Sequence, residues 1–138
     1  MKPASMTAIL LGAAIGVGWG SAYAQKQVDF GEREYMNSCA ACHGTDGKGT
    51  GPLAGMIDTR VRDLTGLAKA NNGVFPLSEV YETIDGRGSH GPRDMPVWST
   101  RYRVEAAAYY GDIDYDSSAV VRSRILAVAE YVNRLQAK

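Results

Sequence analysis

Toward the end of the chain Val121, Ile125, Val128, Val132 and Leu135 recur at steps of four, three, four and three, one apolar stripe along an amphipathic helix. Ser117 or Ser118 can cap its start, and Arg134 and Lys138 suit its negative end. An earlier helix is expected from Asp29, where Asp29 and Glu32 form a capping-box-like pair; it runs through Tyr35 toward Cys39 with Gly31 and Tyr35 on one side. Two shorter helices are predicted between them. One runs from Asp63 to Ala70 with Leu64, Leu67 and Ala68 on one face, stopped by Asn72-Gly73. The other runs from Leu77 to Asp85, carries Leu77, Val80 and Ile84, and stops at Gly86. Val104 to Tyr110 is helix-prone. Every element read along the chain is a helix, and the expected class is all-α. Residues from Gly44 to Gly55 are glycine-rich loop, without the Lys-Ser/Thr ending of a phosphate-binding loop.

The first 24 residues read differently. Lys2 precedes an uncharged apolar stretch from Thr7 to Gly18, and Ala22-Tyr23-Ala24 gives a small-x-small cut before Gln25. The stretch is short of the roughly 20 residues of a spanning helix and is weakened by Gly12, Gly16, Gly18 and Gly20, so a cleaved secretory leader is expected rather than an anchor. Residues 25–138 then suffice for one small domain. Lys and Arg number 15 against 15 Asp and Glu, a balance without the basic surplus of a nucleic-acid-binding protein. The core also looks thin. Beyond the leader, only Phe30, Phe75 and Trp98 join the tyrosines as aromatic residues, so a large apolar cofactor would supply missing buried area.

Cys39-Ala40-Ala41-Cys42-His43 supplies the chemistry. C-x-x-C-H is the attachment signature of c-type haem: two thiols on one helical turn reach two vinyl groups of one porphyrin edge. His43 follows at once as the proximal iron ligand. Zinc wants four ligands, and only His90 remains as another Cys or His. A thioredoxin-like pair lacks its βαβ surroundings.

The other face of the iron separates electron carriers from catalytic or gas-binding haems. Met36 lies one turn before Cys39 on the attachment side, and Met56 follows His43 too closely. Met95 sits in Arg93-Asp94-Met95-Pro96-Val97-Trp98, where Pro96 stiffens a strap suited to holding a thioether on iron. Met95 is therefore the expected ligand, with His90 as the rival. Asp112, Asp114 and Asp116 have a calcium-like spacing, but the glycine and glutamate of an EF-hand loop are missing, and a solvated loop is expected.

A short first helix, CAACHG, Gly51-Pro52 in a glycine-rich loop, Ile84-Asp85-Gly86, Met95-Pro96-x-Trp98 and a final helix together resemble class I cytochromes c of the small bacterial monohaem kind. The resemblance covers nearly all of residues 25–138. It implies short helices around one haem c, joined through Cys39 and Cys42 and ligated by His43 and Met95, with the first and last helices crossing near Gly31, Tyr35 and Tyr131. It further implies that the Pro52 carbonyl accepts from His43, and that Trp98, and less directly Arg87 or Arg101, reaches a haem propionate. Attachment outside the cytoplasmic membrane agrees with the leader. The expected role is periplasmic one-electron transfer between a protein donor and a protein acceptor, as free shuttle or complex subunit, rather than enzymatic turnover. The alternative is a haem enzyme or gas sensor with an open sixth position. Residues 101–116 exceed what a minimal member needs, and partner choice is expected there.

Overall fold

The computed structural model describes residues 28–88 and 95–137. The leader, its cut at Gln25, and His90 lie outside the described residues. Among the described residues the fold is all-helical: α1 (Phe30–Ser38), α2 (Ala40–His43), α3 (Leu67–Ala70), α4 (Leu77–Asp85), α5 (Trp98–Tyr110) and α6 (Ser117–Arg134), with a 3-10 turn at Ala54–Met56. No described helix is long and apolar enough to cross a membrane.

α1 starts where the capping pair places it, with the Asp29 carboxylate accepting from the Glu32 amide at 3.0 Å. It crosses α6 at Gly31. A Cβ there would stand 2.3 Å from the Ala127 carbonyl oxygen, so only glycine lets the two backbones come this close. One turn on, the Tyr35 and Tyr131 rings meet with centroids 5.0 Å apart, and Tyr35 donates to the Gly44 carbonyl at 2.7 Å. The apolar stripe of α6 faces inward as expected, burying Val121, Ile125, Val128 and Val132 against α1, α4 and α5.

Three boundaries differ from the sequence expectation. The α6 cap is Asp116, not Ser117 or Ser118: its carboxylate accepts from the Ser118 and Ala119 amides at 2.9 and 3.1 Å. A carboxylate at that position also suits the positive helix end. α3 begins only at Leu67, because Asp63 accepts from the Thr65 amide and hydroxyl at 2.8 and 2.7 Å and so favours a turn over a helix start. α5 begins at Trp98, well before Val104. Asp112 and Asp114 are exposed, and among the described residues no group of three or more His, Cys, Asp or Glu is placed to hold a metal ion.

The segment after α6 laces back onto the molecule. Gln136 accepts from the Ala68 amide at 2.8 Å and donates to the Leu64 and Val132 carbonyls at 2.8 and 2.9 Å. Glu34 of α1, 7 % exposed, pairs with Arg124 of α6 at 2.7 Å, and Arg124 also meets Glu105 of α5 at 2.9 Å. Three helices are thus held by one partly buried ionic cluster.

Candidate functional site

Cys39 ends α1 and opens α2, so Cys39 to His43 form a single helical turn, closed by the His43 amide donating to the Cys39 carbonyl at 2.9 Å. The glycine-rich loop folds back over that turn. Amides of Gly49, Gly51 and Leu53 donate to the carbonyls of His43, Cys42 and Ala41 at 2.7, 3.0 and 2.8 Å, satisfying the acceptors that the short helix leaves open. Gly51 is required for this return, since a Cβ there would lie 2.4 Å from the Ala41 oxygen.

This turn forms one wall of a cavity of about 400 Å³. Leu64 and Leu67 add to that side, and Val128 and Val132 of α6 bound the cavity from within the core. Val80 and Ile84 of α4 line it together with Met95, Pro96 and Trp98 from the strap before and into α5. The lining is predominantly apolar, and the volume falls within the roughly 300–1,000 Å³ of small-molecule and cofactor sites.

Both thiols are free. Burial, helped by the nearby Glu34 carboxylate and Cys42, pushes the Cys39 thiol up to about 12, so it stays protonated at neutral pH. His43 lies 3.1 Å through Nδ1 from the Arg62 carbonyl. A carbonyl only accepts, so Nδ1 carries the proton and the lone pair is left on Nε2. Burial lowers the His43 pKa, the Arg62 carbonyl opposing, and the balance favours the neutral ring that a metal needs.

The hydrogen-bond partner of His43 is a correction. The resemblance implied the Pro52 carbonyl, but Pro52 is exposed and absent from the cavity wall. The loop around it turns toward the α2 carbonyls, and the stretch carrying Arg62 runs against His43 in its place. Trp98 is buried on the wall, with the Arg101 guanidinium 5.4 Å over its ring. Arg101 itself also lines the cavity, whereas Arg87 is paired with Asp85 away from it. Arg60 and Arg62 line the cavity too and escaped the sequence reading; their alternation about Val61 was the available signal. Of the methionines described, Met95 alone lies on the wall: Met56 is 78 % exposed, and Met36 packs against the core elsewhere.

A helical fold with a C-x-x-C-H turn set into the wall of an apolar cavity defines a c-type cytochrome domain. The Cytochrome c family model matches residues 28–95, from just before α1 to Met95, so this stretch of the chain is similar to that family. No curated protein and no solved structure matches it significantly. A Cytochrome c domain implies a haem-binding electron-transfer protein with covalent haem c and redox partners. The residues present fit that group: two free thiols at attachment spacing, a neutral imidazole with an unprotonated nitrogen, and a large apolar cavity they share.

Proposed function

We propose that this protein is a periplasmic one-electron carrier whose single haem is anchored by Cys39 and Cys42 and ligated by His43 and Met95. The supporting observation is that one cavity collects both cysteines, His43 and, from a separate strap, Met95. The bound haem supplies the one-electron couple, and the chain supplies its setting. Arg62 holds the imidazole in one tautomer through its backbone carbonyl. The mostly apolar walls suit an uncharged ring, and Arg60, Arg62 and Arg101 add cations to the lining. Trp98 lines the same cavity. Pro96 stiffens the strap behind Met95. Two protein ligands leave no position for a substrate, and a thioether favours the ferrous state and raises the potential. The leader motif at residues 1–24 supports export, with residues 25–138 as the working domain.

The deciding experiment is Met95→Ala beside His90→Ala in the haem-loaded protein. Met95→Ala is expected to keep the haem but lose the sulfur-to-ferric charge-transfer band, to lower the reduction potential, and to gain carbon monoxide or cyanide binding. His90→Ala is expected to change none of these. Loss of the six-coordinate spectrum in His90→Ala alone overturns the ligand pair, and carbon monoxide binding by the unaltered protein favours the open-site alternative.

A further inference from the structure

The far end of α5 and the turn after it expose apolar and aromatic side chains together. α5 has apolar residues on every side and buries only Trp98, Ser99, Tyr102 and Ala106, which leaves Val104 and Tyr109 65 % and 81 % exposed. Ile113 in the turn is 61 % exposed. Three tyrosines assemble beside them: Tyr109 meets Tyr110 edge to face at 4.7 Å, and Tyr110 meets Tyr115 at 5.2 Å. The turn is ordered by the Ile113 amide donating to the Tyr110 carbonyl at 2.9 Å. Its neighbours Asp112 and Asp114 point their charge into an exposed setting, while Asp116 is engaged as the α6 cap and with Arg122. Arg101 is paired with Glu105, and Arg103 stands exposed further back along the helix.

We propose that this aromatic and acidic patch docks a protein partner through the partner's exposed arginine and lysine side chains, leaving the cavity free for a separate electron-transfer encounter. Charge complementarity selects the occupant. Aromatic faces carry negative potential and attract cations, and two exposed carboxylates do the same. An uncharged apolar partner would strip water from Asp112 and Asp114 without pairing them, and an acidic partner would be repelled. A guanidinium satisfies both features, stacking on a tyrosine while its fork meets a carboxylate. The protein already uses this pairing internally, with Arg124 centred 4.0 Å over the Tyr102 ring and bound to Glu34 and Glu105.

Position gives the patch its role. Trp98 at one end of α5 lines the cavity, and Tyr110 at the other lies about 18 Å along the helix axis. A partner held at Tyr109 therefore grips the protein at a distance from the cavity wall. That arrangement suits a subunit retained on one protein while it exchanges electrons with another, rather than a carrier that must release each partner from a single face. The retention role rests on the carrier reading above; the chemistry of the patch does not.

The test is an NMR titration of the haem-loaded full protein with an amidated tetra-arginine peptide as a probe of the partner's chemistry. Resonances of Tyr109, Tyr110, Ile113 and Tyr115 are expected to shift together, and more salt to weaken binding. Tyr109→Ser should reduce affinity about two- to fivefold. Asp112→Asn with Asp114→Asn should reduce it by about two- to fivefold per carboxylate. All three residues are exposed, so the haem spectrum and melting temperature should stay unchanged. Shifts centred on Glu79 and Glu82 instead, no binding, or affinity indifferent to Tyr109→Ser each overturn the proposal. Absence of a haem spectrum would sink the carrier reading alone, since the peptide reports on the patch independently.

Discussion

Tyr102 is 1 % exposed, with Arg124 over its ring and, among the described residues, no hydrogen-bond partner in good geometry for its hydroxyl. Burial pushes its phenol up to about 12, with the Ser38 hydroxyl acting in the other direction. The unfolded chain releases this proton near the ordinary value of about 10. Between those values the folded state holds more protons than the unfolded one, so stability is full below pH 10 and falls as pH rises toward 12. Tyr35, raised further by burial, acts in the same sense. Tyr102→Phe should be neutral to about 1 kcal/mol stabilising at pH 7, since it removes an unpaired buried hydroxyl. Part of the alkaline loss should vanish with it, as denaturant titrations at pH 7, 10 and 11 would show. A larger loss at pH 11 in the Phe variant would contradict this. None of it was legible in the sequence, where Tyr102 was one tyrosine among several. Cys39, Cys42 and His43 were legible because covalent chemistry fixes their spacing. The Arg62 carbonyl was not, because a backbone acceptor leaves no mark on residue identity.

At the scale of elements, legibility followed how local the cause was. α4 and the body of α6 were readable from periodicity, and Asp29 from its own capping pair. The cap of α6 was misread because Ser117, Ser118 and Asp116 are all competent, and only the backbone geometry chooses among them. α3 was overextended because Asp63 competes with the helix for the Thr65 amide. The return of Gln136 joins segments 68 residues apart and had no local sign. Gln136→Ala should lower stability by about 1–3 kcal/mol by leaving the Ala68 amide and two carbonyls unpaired, measurable as a lower denaturation midpoint at unchanged slope. The crossing of α1 and α6 gives a sharper test. Gly31→Ala drives a methyl into the Ala127 carbonyl and should cost about 1–3 kcal/mol, whereas Gly55→Ala, with nothing within 4 Å, should be nearly silent. Equal effects would mean that close approach is not what Gly31 provides.

For the whole molecule, the cavity sets the terms. Its space of about 400 Å³ is apolar-walled volume that the side chains do not fill, so packing there depends on a large apolar group. A chain unable to hold its haem should therefore lose this packing. Cys39→Ala with Cys42→Ala is expected to give low yield and no cooperative thermal transition, read by circular dichroism; a sharp two-state melt without haem would refute it. The thin core noted in the sequence and the cavity in the fold are one fact seen twice. Where the chain fastens has a consequence of another kind. Glu34 and Arg124 are 90 residues apart in sequence, and Asp29 and Arg134, which also pair, are 105 apart. Nearly the entire domain is thus a loop tied shut at its two ends, and the closure entropy falls due before that contact returns anything. Forming the clasp between the first and last helices therefore orders a long stretch of chain at once. Joining those ends and opening the chain elsewhere would turn this distant contact into a local one.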